Sequence, residues 1–122
     1  MSQRPPTLLL SVGNPSRGDD ALGWLFAERA RERFAELIAA NELEVLTDFQ
    51  LQVEHALDLE NRAHVLFVDA SVDARAPYTL TPLQAAPASA FSHALSPGHL
   101  LRVLDELGHP RPARMEVLAI RG

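Results

Sequence analysis

The chain predicts an α/β sandwich built on a mostly parallel sheet. Short runs rich in Val, Leu and Ile alternate with longer amphipathic segments, the pattern of strand–helix–strand units. The first run, Thr7 to Val12, is continuously apolar rather than alternating, as expected of a strand buried on both faces. It ends in Gly13-Asn14-Pro15, and a long amphipathic segment follows. A loop after a buried strand is where α/β folds place chemistry.

Each further element has its own signal. Ala21 to Ala40 reads as the first helix. Leu22, Leu25, Phe26, Ala30, Phe34, Leu37 and Ile38 form its apolar stripe, and Arg29 and Arg33 lie among them. Leu43 to Phe49 is the second strand, and Val53 to Asn61 is short and helical. His64 to Val68 is the third strand, followed by Asp69-Ala70. Tyr78 to Leu83 alternates, with Pro77 and Pro82 near its ends, and reads as an edge strand. Gln84 to Phe91 is an Ala/Pro/Ser-rich loop. Pro97 to Leu107 is a helix with Ser96 at its N-cap, Pro97 at its first position and Gly108 stopping it. Arg114 to Ile120 is the last strand.

The 122 residues fit one domain, 1–122. A three-layer sandwich covers both sheet faces, yet two long helices and one short one are available. A further terminal helix beyond Gly122, or one from a partner, is therefore expected.

Composition excludes several chemistries. Without cysteine there is no disulfide, thiolate zinc site or Cys nucleophile. Without lysine there is no Schiff base. The net charge of −5 and the absence of a basic cluster argue against nucleic acid and anionic membranes as partners. No apolar run is long enough for a membrane span, and Met1 to Pro6 lacks a signal-peptide pattern, so the cytoplasm is the expected compartment.

The loop after the first strand delivers Asp19 and Asp20. Phosphate would be repelled there, and the loop lacks both the Lys-Ser/Thr of a P-loop and G-x-G-x-x-G. Capping the helix needs one acid, which leaves the second for a cation. Asp69 follows the third strand. If strands one and three are neighbours, Asp20 and Asp69 converge at their carboxyl ends. His93 lies in the loop before the last helix. Two carboxylates and an imidazole make a ligand set for zinc, nickel or iron. Each also has a plainer reading: Asp69 capping a turn, His93 on the surface. His55 reads as solvated or packed, and His64, His99 and His109 as surface or element-end residues. No G-x-S-x-G elbow is present. An aspartic-type dyad of Asp20 and Asp69 would leave His93 superfluous.

Gly13-Asn14-Pro15-Ser16-Arg17-Gly18-Asp19-Asp20-Ala21-Leu22-Gly23 resembles the opening loop of the hydrogenase maturation proteases. Gln50 to Leu59, Val68-Asp69-Ala70 and Ser92-His93 extend the resemblance in order along nearly the whole chain. It implies a sandwich with a five-stranded twisted sheet. It also implies an endopeptidase that trims the C-terminus of the NiFe-hydrogenase large-subunit precursor. By that resemblance Asp20, Asp69 and His93 contact nickel carried by the precursor, with zinc as another divalent ion such a set accepts. Cleavage would then wait for nickel insertion. A metal-polarised carbonyl, a metal-bound water and a carboxylate base stay open as routes to the attacking water. The alternative is a nickel-dependent checkpoint module without peptidase activity. Ala21 stands where many members have Gly, and members continue past the position of Gly122 with a further segment and helix.

Overall fold

The computed structural model describes residues 4–13, 21–71, 76–86 and 96–121. In chain order the elements are β1 (Thr7–Val12), α1 (Ala21–Arg33), α2 (Ala35–Ala39), β2 (Leu43–Asp48), α3 (His55–Asp58), β3 (His64–Ser71), β4 (Tyr78–Pro82), α4 (Pro97–Glu106) and β5 (Arg114–Arg121). The five strands pair in the order β2-β1-β3-β5-β4. Only the β4–β5 pairing is antiparallel, which puts β4 at the edge, as its two prolines required.

Alternation along the strands sorts the core into two faces. Leu8, Leu10, Val65, Phe67 and Met115 point to one face, where Ala56 and Leu59 from the α3 region and Leu100, Leu101 and Leu104 of α4 cover them. Leu9, Val68, Leu43 and Leu118 point to the other, where Ala30 of α1 and Ile38 of α2 pack. Each fully buried Leu or Phe contributes about 1.5–3 kcal/mol by removal from water.

The first helix differs from its expected form in two ways. It bends at Phe34 (φ −111°, ψ 27°), which separates α1 from α2. The backbone bonds Phe34 N to Ala30 O and Ile38 N to Phe34 O persist across the bend, at 2.9 and 3.1 Å. The bend brings Ile38 onto the Leu43 and Val45 side of β2. Only part of the expected stripe faces the sheet: Phe26, Ala30 and Ile38 pack there. Gly23, Ala27 and Ala30 are buried, while Leu25, Phe34 and Leu37 are 52%, 40% and 41% exposed. Small residues win because α1 lies hard against β1. A Cβ on Gly23 would stand 2.7 Å from the carbonyl oxygen of Val12.

At α4 the sequence signals hold. Ser96 caps the helix by accepting from the His99 N–H, and His99 completes a capping box by accepting from the Ser96 N–H. Gly108 ends it at φ 76°, with Gly108 N bonded to Asp105 O and His109 N to Leu104 O, the Schellman pattern. Beyond the turn, Arg111 Nε donates to Asp105 Oδ1 at 2.8 Å. That hydrogen bond holds the Asp105 carboxyl below its ordinary range.

The amino ends of the strands are stapled. Arg62 is 6% exposed. Its guanidinium donates to the carbonyls of Asp58 and Pro5, at 2.9 and 2.8 Å, and to the Glu44 carboxylate. His64 of β3 meets Glu116 of β5 at 3.1 Å, and Arg114 meets the same carboxylate at 2.9 Å. Among the described residues no helix is long and apolar enough to cross a membrane.

Two outcomes follow from these contacts. Gly23→Ala should push α1 off β1 and cost about 1–3 kcal/mol, read as a fall of several degrees in thermal midpoint. The Asp105 carboxyl, followed by NMR titration, should titrate below an ordinary aspartate and move up toward the ordinary range in Arg111→Ala. A depressed folded pKa means that the pair's small contribution is present above the unfolded pKa. It is lost as pH falls through the folded value.

Candidate functional site

β1 and β3 are parallel neighbours, as the sequence required for its two acids to converge. Asp69, however, lies within β3 rather than after it. The strand runs on to Ser71 because β5 is long enough to pair with it, Asp69 opposite Ala119. Asp69 is exposed at this edge. Asn14, Asp19, Asp20 and His93 fall outside the described residues. Of the three predicted ligands, the structure therefore places Asp69. Among the described residues no group of three or more His, Asp or Glu side chains is gathered as a metal site.

Near Asp69 the structure puts an acid to which the sequence reading gave no role. Asp48 ends β2 and pairs in register with Val12 of β1. On the other side of β1, Ser11 pairs with Val68, so Val12 falls one step on, level with Asp69. Asp48, Val12 and Asp69 thus form one row across three adjacent strands. Paired residues share a face, and Leu10, Leu46 and Phe67, two steps earlier, all belong to the core under α3 and α4. Asp48 and Asp69 therefore lie on the same face, two strand spacings apart, about 10 Å between Cα atoms.

Asp48 is held by both its backbone and its side chain. Its carbonyl oxygen accepts from Gly13 N at 3.1 Å and from Trp24 Nε1 at 3.3 Å. Gly13 begins the loop that carries Asp19 and Asp20, and Trp24 stands in α1 just after it. The end of β1 and the first turn of α1 are thus tied to one atom of β2. Gly13 reaches it with φ 153°, an angle that residues bearing a Cβ seldom adopt. Trp24 also stacks on Phe49, ring centroids 5.5 Å apart and planes at 22°.

The Asp48 carboxylate has two protein donors. Oδ1 accepts from the Phe49 N–H at 2.7 Å. Oδ2 lies 3.2 Å from Nε2 of His55, a histidine 8% exposed. On the far side of that ring, Nδ1 accepts from the Gln52 N–H at 2.8 Å. An imidazole with an acceptor Nδ1 carries its proton on Nε2. His55 is therefore a neutral donor to Asp48. Sequence left His55 as either solvated or packed, and burial selects the second; the pairing with Asp48 was not foreseen. The available signal was the one used for Asp69: an acid at the carboxyl end of a strand beside β1.

The other described histidines serve structure. His64 pairs with Glu116, His109 with Glu60 at 2.9 Å, and His99 with Ser96. A cavity of about 500 Å³ lined by Leu83, Leu101, Arg111 and Met115 opens near the amino end of β5. It is remote from the row of acids.

No family model matches the sequence, and no curated protein does. Solved structures match the fold. The hydrogenase maturating endopeptidase HybD from Escherichia coli aligns with a TM-score of 0.67 at 22% identity, over 97% of this chain and 74% of its own. The NiFe hydrogenase maturation protease HycI from Thermococcus kodakarensis aligns at 0.67 and 21%, over 98% and 76%. The solution structure of an endopeptidase from Escherichia coli aligns at 0.60 and 24%, over 97% and 74%. At these identities the likeness establishes a common fold.

Trp24→Phe keeps the ring stack and deletes the donor to Asp48. It should cost about 1 kcal/mol, seen as a lower urea midpoint at unchanged slope.

Proposed function

We propose that this chain is an endopeptidase that removes the C-terminal peptide of the nickel-loaded NiFe-hydrogenase large-subunit precursor. The observation that carries this reading is the position of Asp69, exposed on the strand next to β1 at the edge where the Gly13 loop begins. Two further supports are independent of it. The opening-loop resemblance runs from Gly13 to Gly23. The fold is shared, over 97–98% of the chain, with solved proteins named as a hydrogenase maturating endopeptidase and a NiFe hydrogenase maturation protease.

In this reading nickel belongs to the substrate. Asp20, Asp69 and His93 contact it, and a set of two carboxylates and an imidazole suits nickel or zinc. Asp69 comes to the metal on β3, one step past its last pairing with β1 and paired with Ala119 of β5, which fixes its backbone. Asp20 comes on the loop whose flanks are tied to Asp48. The chain then distinguishes loaded from unloaded precursor by differential binding. Hydrolysis adds water across the scissile amide, OH to the carbonyl carbon and H to the leaving nitrogen.

Incubation with nickel-loaded precursor, followed by mass spectrometry for loss of the tail, tests the assignment. The unmodified chain should process loaded precursor and leave metal-free precursor intact. Asp69→Ala should slow processing by about 100-fold or more, with a thermal midpoint nearly unchanged because the position is exposed. Wild-type processing by Asp69→Ala would overturn the site. Binding of loaded precursor without cleavage would instead mark a checkpoint module.

A further inference from the structure

We infer that Asp48 is a further substrate-facing carboxylate of this edge, beyond Asp20 and Asp69, and that His55 is its positioning residue; the inference rests on the peptidase reading above. His55 has no nitrogen to spare. Nδ1 is engaged by the Gln52 N–H and Nε2 by Asp48. A buried ring committed on both sides is neither a free base nor a free ligand. It can orient Asp48 and donate to it.

Asp48 does have capacity to spare. Each carboxylate oxygen accepts one protein donor, and each retains acceptor sites. The side chain is 33% exposed. It shares a face with Asp69 at about 10 Å between Cα atoms. An extended peptide advances about 3.3 Å per residue. Substrate lying across the edge from Asp69 to Asp48 therefore spans about three residues. Asp48 takes a hydrogen-bond donor of the peptide at that distance from the group that Asp69 contacts. The exposed Phe49 ring, 62% accessible and braced by Trp24, lies next to Asp48 in the chain and offers the peptide an apolar surface.

The test uses the full chain and nickel-loaded precursor, with initial rates by mass spectrometry. Asp48→Asn keeps the shape and removes the charge. His55→Phe removes the donor. His55→Gln keeps an amide N–H where Nε2–H was. Asp48→Asn and His55→Phe should lower kcat/KM by about 10–100-fold, mostly through KM. His55→Gln should stay within about threefold of the unmodified chain. A merely structural pair would lower the thermal midpoint without raising KM, and that result overturns the inference. So does a folded His55→Gln that falls as far as His55→Phe. If His55→Phe does not fold, Asp48→Asn and His55→Gln decide. An unmodified chain that cleaves while Asp48→Asn cleaves equally well refutes the role of Asp48 and leaves the peptidase reading standing. An unmodified chain that cannot cleave refutes both.

Discussion

The carbonyl oxygen of Asp48 is the atom on which this edge of the molecule depends. Gly13 and Trp24 both donate to it, at 3.1 and 3.3 Å. They flank the loop that brings two acids after the first strand. The tie is feasible because α1 can sit against β1, and that closeness requires the bare backbone of Gly23 facing Val12. A sequence choice at one glycine thereby sets the helix height. The helix height brings Trp24 within reach of Asp48, and Asp48 ties α1 and the end of β1 to β2.

The two ends of the sheet are built differently. At the amino ends, charge is consumed by structure. Arg62 is buried and satisfies two carbonyls and Glu44, and Glu116 gathers His64 and Arg114. A buried guanidinium satisfied in this way stabilises less than its hydrogen bonds suggest, but losing a partner is costly. At the carboxyl ends, Asp69 is exposed and Asp48 is one-third exposed in its side chain. Acids at a rigid, open edge suit recognition of a cation or of peptide donors, while the stapled end secures the scaffold beneath.

Much of this was legible in the sequence where one local signal decided the outcome. β1 has the expected bounds because a continuous apolar run meets Gly13. α4 starts at Pro97 because Ser96 and Pro97 both say so, and Gly108 marks its turn. Legibility failed where packing decided. Of the expected stripe, Phe26, Ala30 and Ile38 pack on the sheet, but proximity to β1 buries Gly23 and Ala27 and leaves Leu25, Phe34 and Leu37 exposed. The bend at Phe34 has no glycine or proline to announce it. Asp69 was read as following its strand, but pairing with β5 carries the strand past it. Asp48 carried the same strand-end signal as Asp69, but its pairing with His55 was not legible, because it depends on a backbone N–H, that of Gln52, choosing the histidine tautomer. Asp20 and His93 rest on spacing and resemblance, and fall outside the described residues.

The central claim is that this carboxyl edge contacts the metal of the loaded precursor. X-ray absorption at the nickel edge tests it most directly, comparing loaded precursor alone with precursor bound to this chain. The account predicts that nickel gains oxygen and nitrogen neighbours on binding and loses the added oxygen when Asp69 is replaced by alanine. A nickel shell identical with and without the bound chain would contradict it.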